Sequence, residues 1–249
     1  MSTQTEVGKL RVQEFADRFR HEVIPLSNNV SYFSAIPVAE EDLRDYLHDP
    51  VAALPPAILA LVPKLLVFLV PYLEKANGKS QELVTFEKPV EKAQAAAAQF
   101  ESPFGPVMVL AVKDRDVAEY HYYFYRAIAT LAAERLPPEV EEGYNRLLRE
   151  ELSNRVHGEV DEPGWQLKQS LLRRQTSLRR ETKSFRAYAK QSFIDTLTLY
   201  LHGICCDIDV ETGPRQLPSR FLRRRLELLE SYFPPPPGYA VFPEELKGD

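Results

Sequence analysis

Five side chains of this sequence are of the types that hold divalent metals in hydrolases: His121, His157, Glu159, Asp195 and His202. Imidazole nitrogens and carboxylate oxygens are ligands that zinc, manganese and iron accept. A metal held by such ligands polarises a water molecule for attack on a substrate. The five residues therefore predict a nonstandard His/Asp/Glu metal site. The stretch from His157 to Glu162 is also typical of a polar loop with helix caps.

The segment Val117-Ala118-Glu119-Tyr120-His121 lies where a zinc-hydrolase helix is expected, after strand-like segments. Such a helix carries two histidines one turn apart, and a glutamate beside the first histidine activates water. Here Val117 and Ala118 stand at the first two positions, and only His121 remains. The alternative is a packed histidine on the apolar stripe of an ordinary helix.

A second helix is predicted around Gln191 and Asp195. Polar residues follow one face (Gln191, Asp195, Thr198, His202) and apolar residues another (Phe193, Leu197, Tyr200, Leu201). The segment resembles the second active-site helix of gluzincin zinc metallopeptidases, Glu-x-Phe-Ala-Glu-x-Phe-x-Leu-Tyr. Residues 217–233 are similar to the closing helix of small members of that group.

The resemblance covers residues 65–125 and 188–233 and implies a zincin-like layout. It puts the third zinc ligand on Gln191 and a supporting carboxylate on Asp195. Because a neutral amide is a poor zinc ligand, the resemblance implies a domain that has lost its peptidase activity. The alternative for this segment is a helix with one solvated face.

Basic residues concentrate in Lys168–Lys190 and at Arg215, Arg220, Arg223, Arg224 and Arg225, although the chain has a net charge of −5. Such a face could bind a protein or another anionic partner, including nucleic acid. It could equally pair with the acidic helix predicted over Glu139–Glu151. No aromatic stacking platform accompanies the basic residues, which favours a solvated face paired within the chain.

The hydrophobic pattern predicts the elements that would position these side chains. Strands are expected at 65–71, 81–87 and 106–112, and residues 93–100 are predicted to be a short helix or coil. Helices are expected at 8–22, 40–47, 117–135, 138–156, 165–201 (one or two helices) and 219–232, and the rest of 29–53 looks irregular. The class is therefore α+β, with a small mixed sheet in the N-terminal half and a mainly helical C-terminal half. One domain over 1–249 is expected, in which residues 1–113 contain the strands and residues 114–249 are helical.

The apolar run Leu54–Leu73 is long enough for a membrane span, but prolines and Lys64 interrupt it. It divides into a short helix, Pro56–Leu61, and a buried strand from Leu65, so no membrane span is expected. Adjacent Cys205 and Cys206 are not expected to form a structural disulfide. The N-terminus lacks the features of a signal peptide, and a cytoplasmic location is predicted.

Three functions follow from these patterns. The first is a protein that resembles a metallopeptidase without its catalytic motif and acts as a binding or scaffold protein, with no cofactor. The second is a metal-dependent hydrolase that uses the nonstandard site. The third is a protein that binds an anionic partner or nucleic acid through the arginine-rich helices.

Overall fold

The structure is a computed structural model that describes residues 9–76, 82–173, 181–206 and 215–242. The chain divides into two compact units, one of Met1–Ala52 with Val62–Ala127 and one of Ala53–Leu61 with Ile128–Asp249. The mixture of sheets and helices confirms the predicted α+β class. None of the helices in the described ranges combines the length and apolar character that a membrane crossing requires. The expectation of a single domain stays a prediction.

The first unit contains the strands β1 (Leu10–Arg11), β2 (Ile24–Pro25), β3 (Val30–Ser34), β4 (Leu65–Val70), β5 (Tyr72–Lys75), β6 (Glu82–Thr85), β7 (Gln94–Ala95), β8 (Ala97–Ser102) and β9 (Gly105–Ala111). A five-stranded mixed sheet has the order β2-β3-β4-β9-β8, and its three inner strands are parallel. Val30 pairs with Leu65, and Leu66 pairs with Val107. The central strand β4 is buried along most of its length, as its uninterrupted apolar sequence predicts.

The helices are α1 (Val12–Phe19), α2 (Glu40–Leu43), α3 (Asp49–Ala52), α4 (Pro56–Leu61), α5 (Val117–Ala133), α6 (Pro138–Ser153), α7 (Glu162–Arg173), α8 (Lys183–Cys205) and α9 (Ser219–Tyr232). A π-helical turn, Arg44–His48, joins α2 to α3. In the first unit, α1 packs Phe15 against Phe33 and Phe68. The remaining strands of this unit form an antiparallel sheet in the order β1-β6-β5-β7.

The second unit is helical, and α8 is its central helix. Residues 192–198 of α8 are all buried, and α6, α7 and α9 each pack against it. Asp195, Thr198 and His202 are among its buried residues. The alternative of a helix with a solvated polar face is therefore wrong for this segment.

Most predicted elements are confirmed, including Pro56–Leu61, the strand from Leu65 and the helix 219–232. The helix or coil expected at 93–100 is wrong, because Ala97–Ser102 pairs antiparallel with β9 as an edge strand. This pairing outweighs the helical propensity of the alanines. The irregular structure expected within 29–53 is wrong for β3 and for α3. Gln81 and residues 174–180, which fall in predicted elements, lie outside the described residues.

Candidate functional site

Four charged side chains lie inside the second unit. Glu151 of α6, Glu159, Lys168 of α7 and Arg225 of α9 are each at most 1% exposed. We call these four residues, with the hydroxyl groups that contact them, the buried charge network. Two cations and two anions give it no net charge when all four are ionised.

Arg225 is the centre of the buried charge network. Its Nε and Nη2 donate to the Glu151 carboxylate, with Nη2 2.6 Å from Oε2. Its Nη1 and Nη2 donate to Glu159 at 2.7 and 3.0 Å, and Nη1 also donates to Ser192 Oγ at 2.8 Å. One guanidinium therefore joins two carboxylates, and charge-assisted bonds of this kind are stronger than neutral ones.

Glu159 receives donors from three helices. Besides Arg225, its carboxylate accepts from Lys168 Nζ at 3.2 Å, from the Tyr188 hydroxyl and from Ser192 Oγ at 3.4 Å. Its backbone is also fixed, because its N–H donates to Arg215 O and its carbonyl accepts from the N–H of Leu217. The residue connects the segment before α9 to α7 and α8.

The electrostatics of the buried charge network keep Glu159 ionised. Burial by itself raises the pKa of a carboxyl group, but the charge and hydrogen bonds of Arg225, with Lys168, lower the pKa of Glu159 to about 2. Burial lowers the pKa of Lys168, and Glu159 opposes that change. Burial also raises the pKa of Tyr188 well above its usual value. Tyr188 therefore acts as a hydrogen-bond donor.

The five predicted metal ligands have different environments. His121 is a buried residue of α5 in the first unit, and the other four belong to the second unit. His157 is exposed, whereas Glu159 is bound within the buried charge network. Asp195 and Glu159 both border Gly164, since a Cβ there would lie 2.8 Å from Asp195 Oδ2 and 3.8 Å from Glu159 Cγ. As a set of metal ligands, the five residues stay a prediction.

The zinc site of the gluzincin pattern does not fit the residues of this chain. The side chain of Val117 has no atom that could bind a metal, and Ala118 has no group that could activate water. The Gln191 side chain donates through Nε2 to Asp195 Oδ1 at 2.7 Å, so its amide is oriented by the carboxylate that would support a ligand. A neutral amide oxygen is a poor ligand for zinc.

Among the described residues, several cations of the basic helices pair with carboxylates of the second unit. Arg224 pairs with Glu150 of α6, and Arg225 pairs with Glu151, so pairing with the predicted acidic helix is confirmed for these two residues. The prediction that the basic residues are solvated is wrong for Lys168 and Arg225, which are buried. Arg174, Arg179 and Arg180 lie outside the described residues.

The buried charge network is not among the sequence predictions, although the sequence carries a signal for it. Arg225 lies between Leu222, Leu226 and Leu229, at the spacings of the stripe that α9 turns to the core. Glu151 occupies the same kind of position on α6. A charged residue on an apolar stripe predicts a buried partner of opposite charge.

Comparisons with models of known protein families, with curated proteins and with solved structures each find no match to this chain.

Proposed function

We propose that this chain is a binding or scaffold protein with a zincin-like order of elements and without hydrolytic chemistry. The observation that carries the proposal is the enclosure of the buried charge network. Its charged side chains are at most 1% exposed and bond to one another. Groups held in this way fix the packing of helices and do not reach a substrate.

The residues of the zinc-helix pattern support the same proposal. Catalysis by a zinc hydrolase needs a metal held by several ligands and a base that activates water. Val117, Ala118 and Gln191 supply neither a strong ligand nor a base. What the pattern keeps is a helix, α5, that follows the strand β9 in the chain, and this order of elements is compatible with a scaffold.

A second candidate, a metal-dependent hydrolase, is favoured by one contact of His121. Its ring Nε2 lies 2.7 Å from the carbonyl oxygen of Asp45, and because a carbonyl oxygen only accepts, the Nε2–H donates this hydrogen bond. Histidines that bind metals commonly donate their other ring N–H to a carbonyl, which orients the ring. Nδ1 is then the atom of His121 that would act as a ligand.

The two candidates differ in metal content and turnover. For the purified chain we expect well below one zinc, manganese or iron per chain, an unfolding midpoint that a chelator leaves unchanged, and no turnover of peptide or ester substrates. One metal per chain, lost in His121→Ala or His202→Ala and kept in the exposed control His48→Ala, would overturn the proposal if turnover is lost with it.

A further inference from the structure

A basic cavity of about 550 Å³ lies in the first unit, where the parallel strands β3 and β4 begin. Its polar wall is formed by Arg20, His21, Lys64 and the turn 27–29. The volume is within the range of about 300–1,000 Å³ that small-molecule sites occupy. The size and position fit a ligand of modest size.

The cavity carries positive charge without a counter-charge. No carboxylate is among its lining residues. Within the described ranges of the chain, neither Arg20 nor Lys64 forms an ion pair, and the chain as a whole has a net charge of −5. Two unneutralised cations at one cavity in an acidic protein attract an anion locally.

The guanidinium of Arg20 is held in a fixed orientation. It stacks on the ring of Phe104, 4.3 Å from its centroid, and its Nε donates to His21 Nε2 at 3.0 Å. Phe104 is itself held in the turn before β9, because its N–H donates to Ser102 Oγ. The two terminal nitrogens of Arg20 are a fork that matches two oxygens of a phosphate or carboxylate.

A hydroxyl group adds a neutral donor at the same wall. Ser27 Oγ accepts from the backbone N–H groups of Val30 and Asn29, at 3.2 and 3.4 Å. The oxygen of Ser27 is occupied as an acceptor, so its O–H is available to donate. Because these bonds also fix the turn, the donor is placed before a ligand arrives.

We propose that this cavity binds a phosphate monoester carried on a small apolar or aromatic body. The fork of Arg20 and the ammonium of Lys64 match the double charge of a phosphate monoester. The cavity is larger than a phosphate group, and Leu65, Leu66 and Phe104 line it on its apolar side. The inference rests on the proposed binding function, for which it names the ligand class.

Isothermal titration calorimetry with phenyl phosphate, inorganic phosphate and benzoate tests the proposal at low salt. We expect phenyl phosphate to bind most tightly, inorganic phosphate more weakly because it lacks the ring, and benzoate least because it carries a single charge. Binding should weaken as sodium chloride is added. Equal or tighter binding of benzoate would overturn the assignment to phosphate.

Variants of the same unit separate the site from general charge. Arg20→Gln and Lys64→Gln should each weaken phenyl phosphate at least about ten-fold, as the loss of a charge-assisted hydrogen bond requires. Arg18→Gln is the matched control, because Arg18 is an exposed arginine of α1 outside the cavity and should change the affinity less than about two-fold. Equal losses in all three variants, or no binding by the unmodified chain, would overturn the proposal.

The outcome for the ligand and for the proposed function can be told apart. Bound phenyl phosphate that stays intact supports both. Bound phenyl phosphate that is hydrolysed to phenol and phosphate supports the cavity and overturns the non-catalytic function. Absence of binding in metal-free protein overturns the proposal that the cavity binds a phosphate monoester and leaves the non-catalytic function untouched.

Discussion

Replacement of Arg225 by methionine should be among the most destabilising single changes in the second unit. The side chain is fully buried and bonds to Glu151, Glu159 and Ser192. Methionine keeps much of the apolar volume but leaves two buried carboxylates with Lys168 as their one remaining cation. The network then carries one uncompensated negative charge.

Removing one partner of a buried ion pair costs about 3–5 kcal/mol, and an exposed pair contributes about 0–1 kcal/mol. Arg224 is the matched control, because it is the neighbouring arginine of α9 and pairs with Glu150, the neighbour of Glu151 on α6. Both members of that pair are 47% exposed. We therefore expect Arg224→Met to cost at most about 1 kcal/mol.

Urea unfolding followed by the fluorescence of Trp165 measures this difference, since Trp165 is the one tryptophan of the chain and lies on α7. With a slope of about 2 kcal/mol per molar urea, Arg225→Met should lower the midpoint by about 2 M. Arg225→Lys keeps the charge without the fork and should lie between Arg225→Met and the unmodified chain. If Arg225→Met does not fold, Arg225→Lys still allows the loss of stability to be measured.

A double variant tests whether charge or packing is responsible. Arg225→Met with Glu151→Leu leaves Glu159 and Lys168 as a neutral pair, so it should be more stable than Arg225→Met alone. An Arg225→Met variant that loses no more stability than Arg224→Met would refute a stabilising role for the buried charge. A double variant whose loss equals the sum of the two single losses would refute it equally, because the loss would then be one of packing.

Three further predictions concern single positions of the second unit. Gly158→Ala should lower the free energy of unfolding in urea by about 1–3 kcal/mol more than Gly238→Ala. Both glycines have positive φ, but only at position 158 would the Cβ lie 2.1 Å from the carbonyl oxygen of Gln216. Equal losses in the two variants would contradict the clash. Arg155→Gly should raise stability by about 0.5–1 kcal/mol, because Arg155 has a φ of 53° after α6, and a lower melting temperature would contradict this. The pKa of Glu159 is lowered from 4.5 to about 2. Its ionised form therefore contributes about 3 kcal/mol to the free energy of unfolding above pH 4.5, and this contribution is lost as the pH falls toward 2. The urea midpoint of Glu159→Gln should not show that acid-dependent loss.

The class and most helices of this fold can be predicted because their signals are local. The prolines of the segment 55–71 separate a helix from a strand, and the apolar stripe of residues 219–232 marks one helix. Several strands are not predicted by the sequence pattern, and two of them, β3 and β8, form by pairing with β4 and with β9. Val30 pairs with Leu65 and Ala98 pairs with Val109, and neither pairing is visible in the residues themselves.

The basic cavity could not be predicted for the same reason. Arg20, the turn 27–29, Lys64 and Phe104 come from four segments, and the register of β3, β4 and β9 brings them to one place. The buried charge network could have been predicted to some extent, since Arg225 and Glu151 lie on apolar stripes. The apolar stripes do not indicate which buried carboxylate pairs with which cation.

The two sets of charges have different roles because one includes its counter-charges and the other lacks them. Arg225 and Lys168 meet carboxylates inside the second unit, so their removal should change stability. Arg20 and Lys64 line a cavity without a carboxylate, so their removal should change the binding of an anion and leave the unfolding midpoint nearly unchanged. Urea unfolding and titration with phenyl phosphate can both be measured on the same variants of Arg20, Lys64 and Arg225. A loss of phosphate binding in Arg225→Lys, or a large loss of stability in Lys64→Gln, would contradict this division of roles.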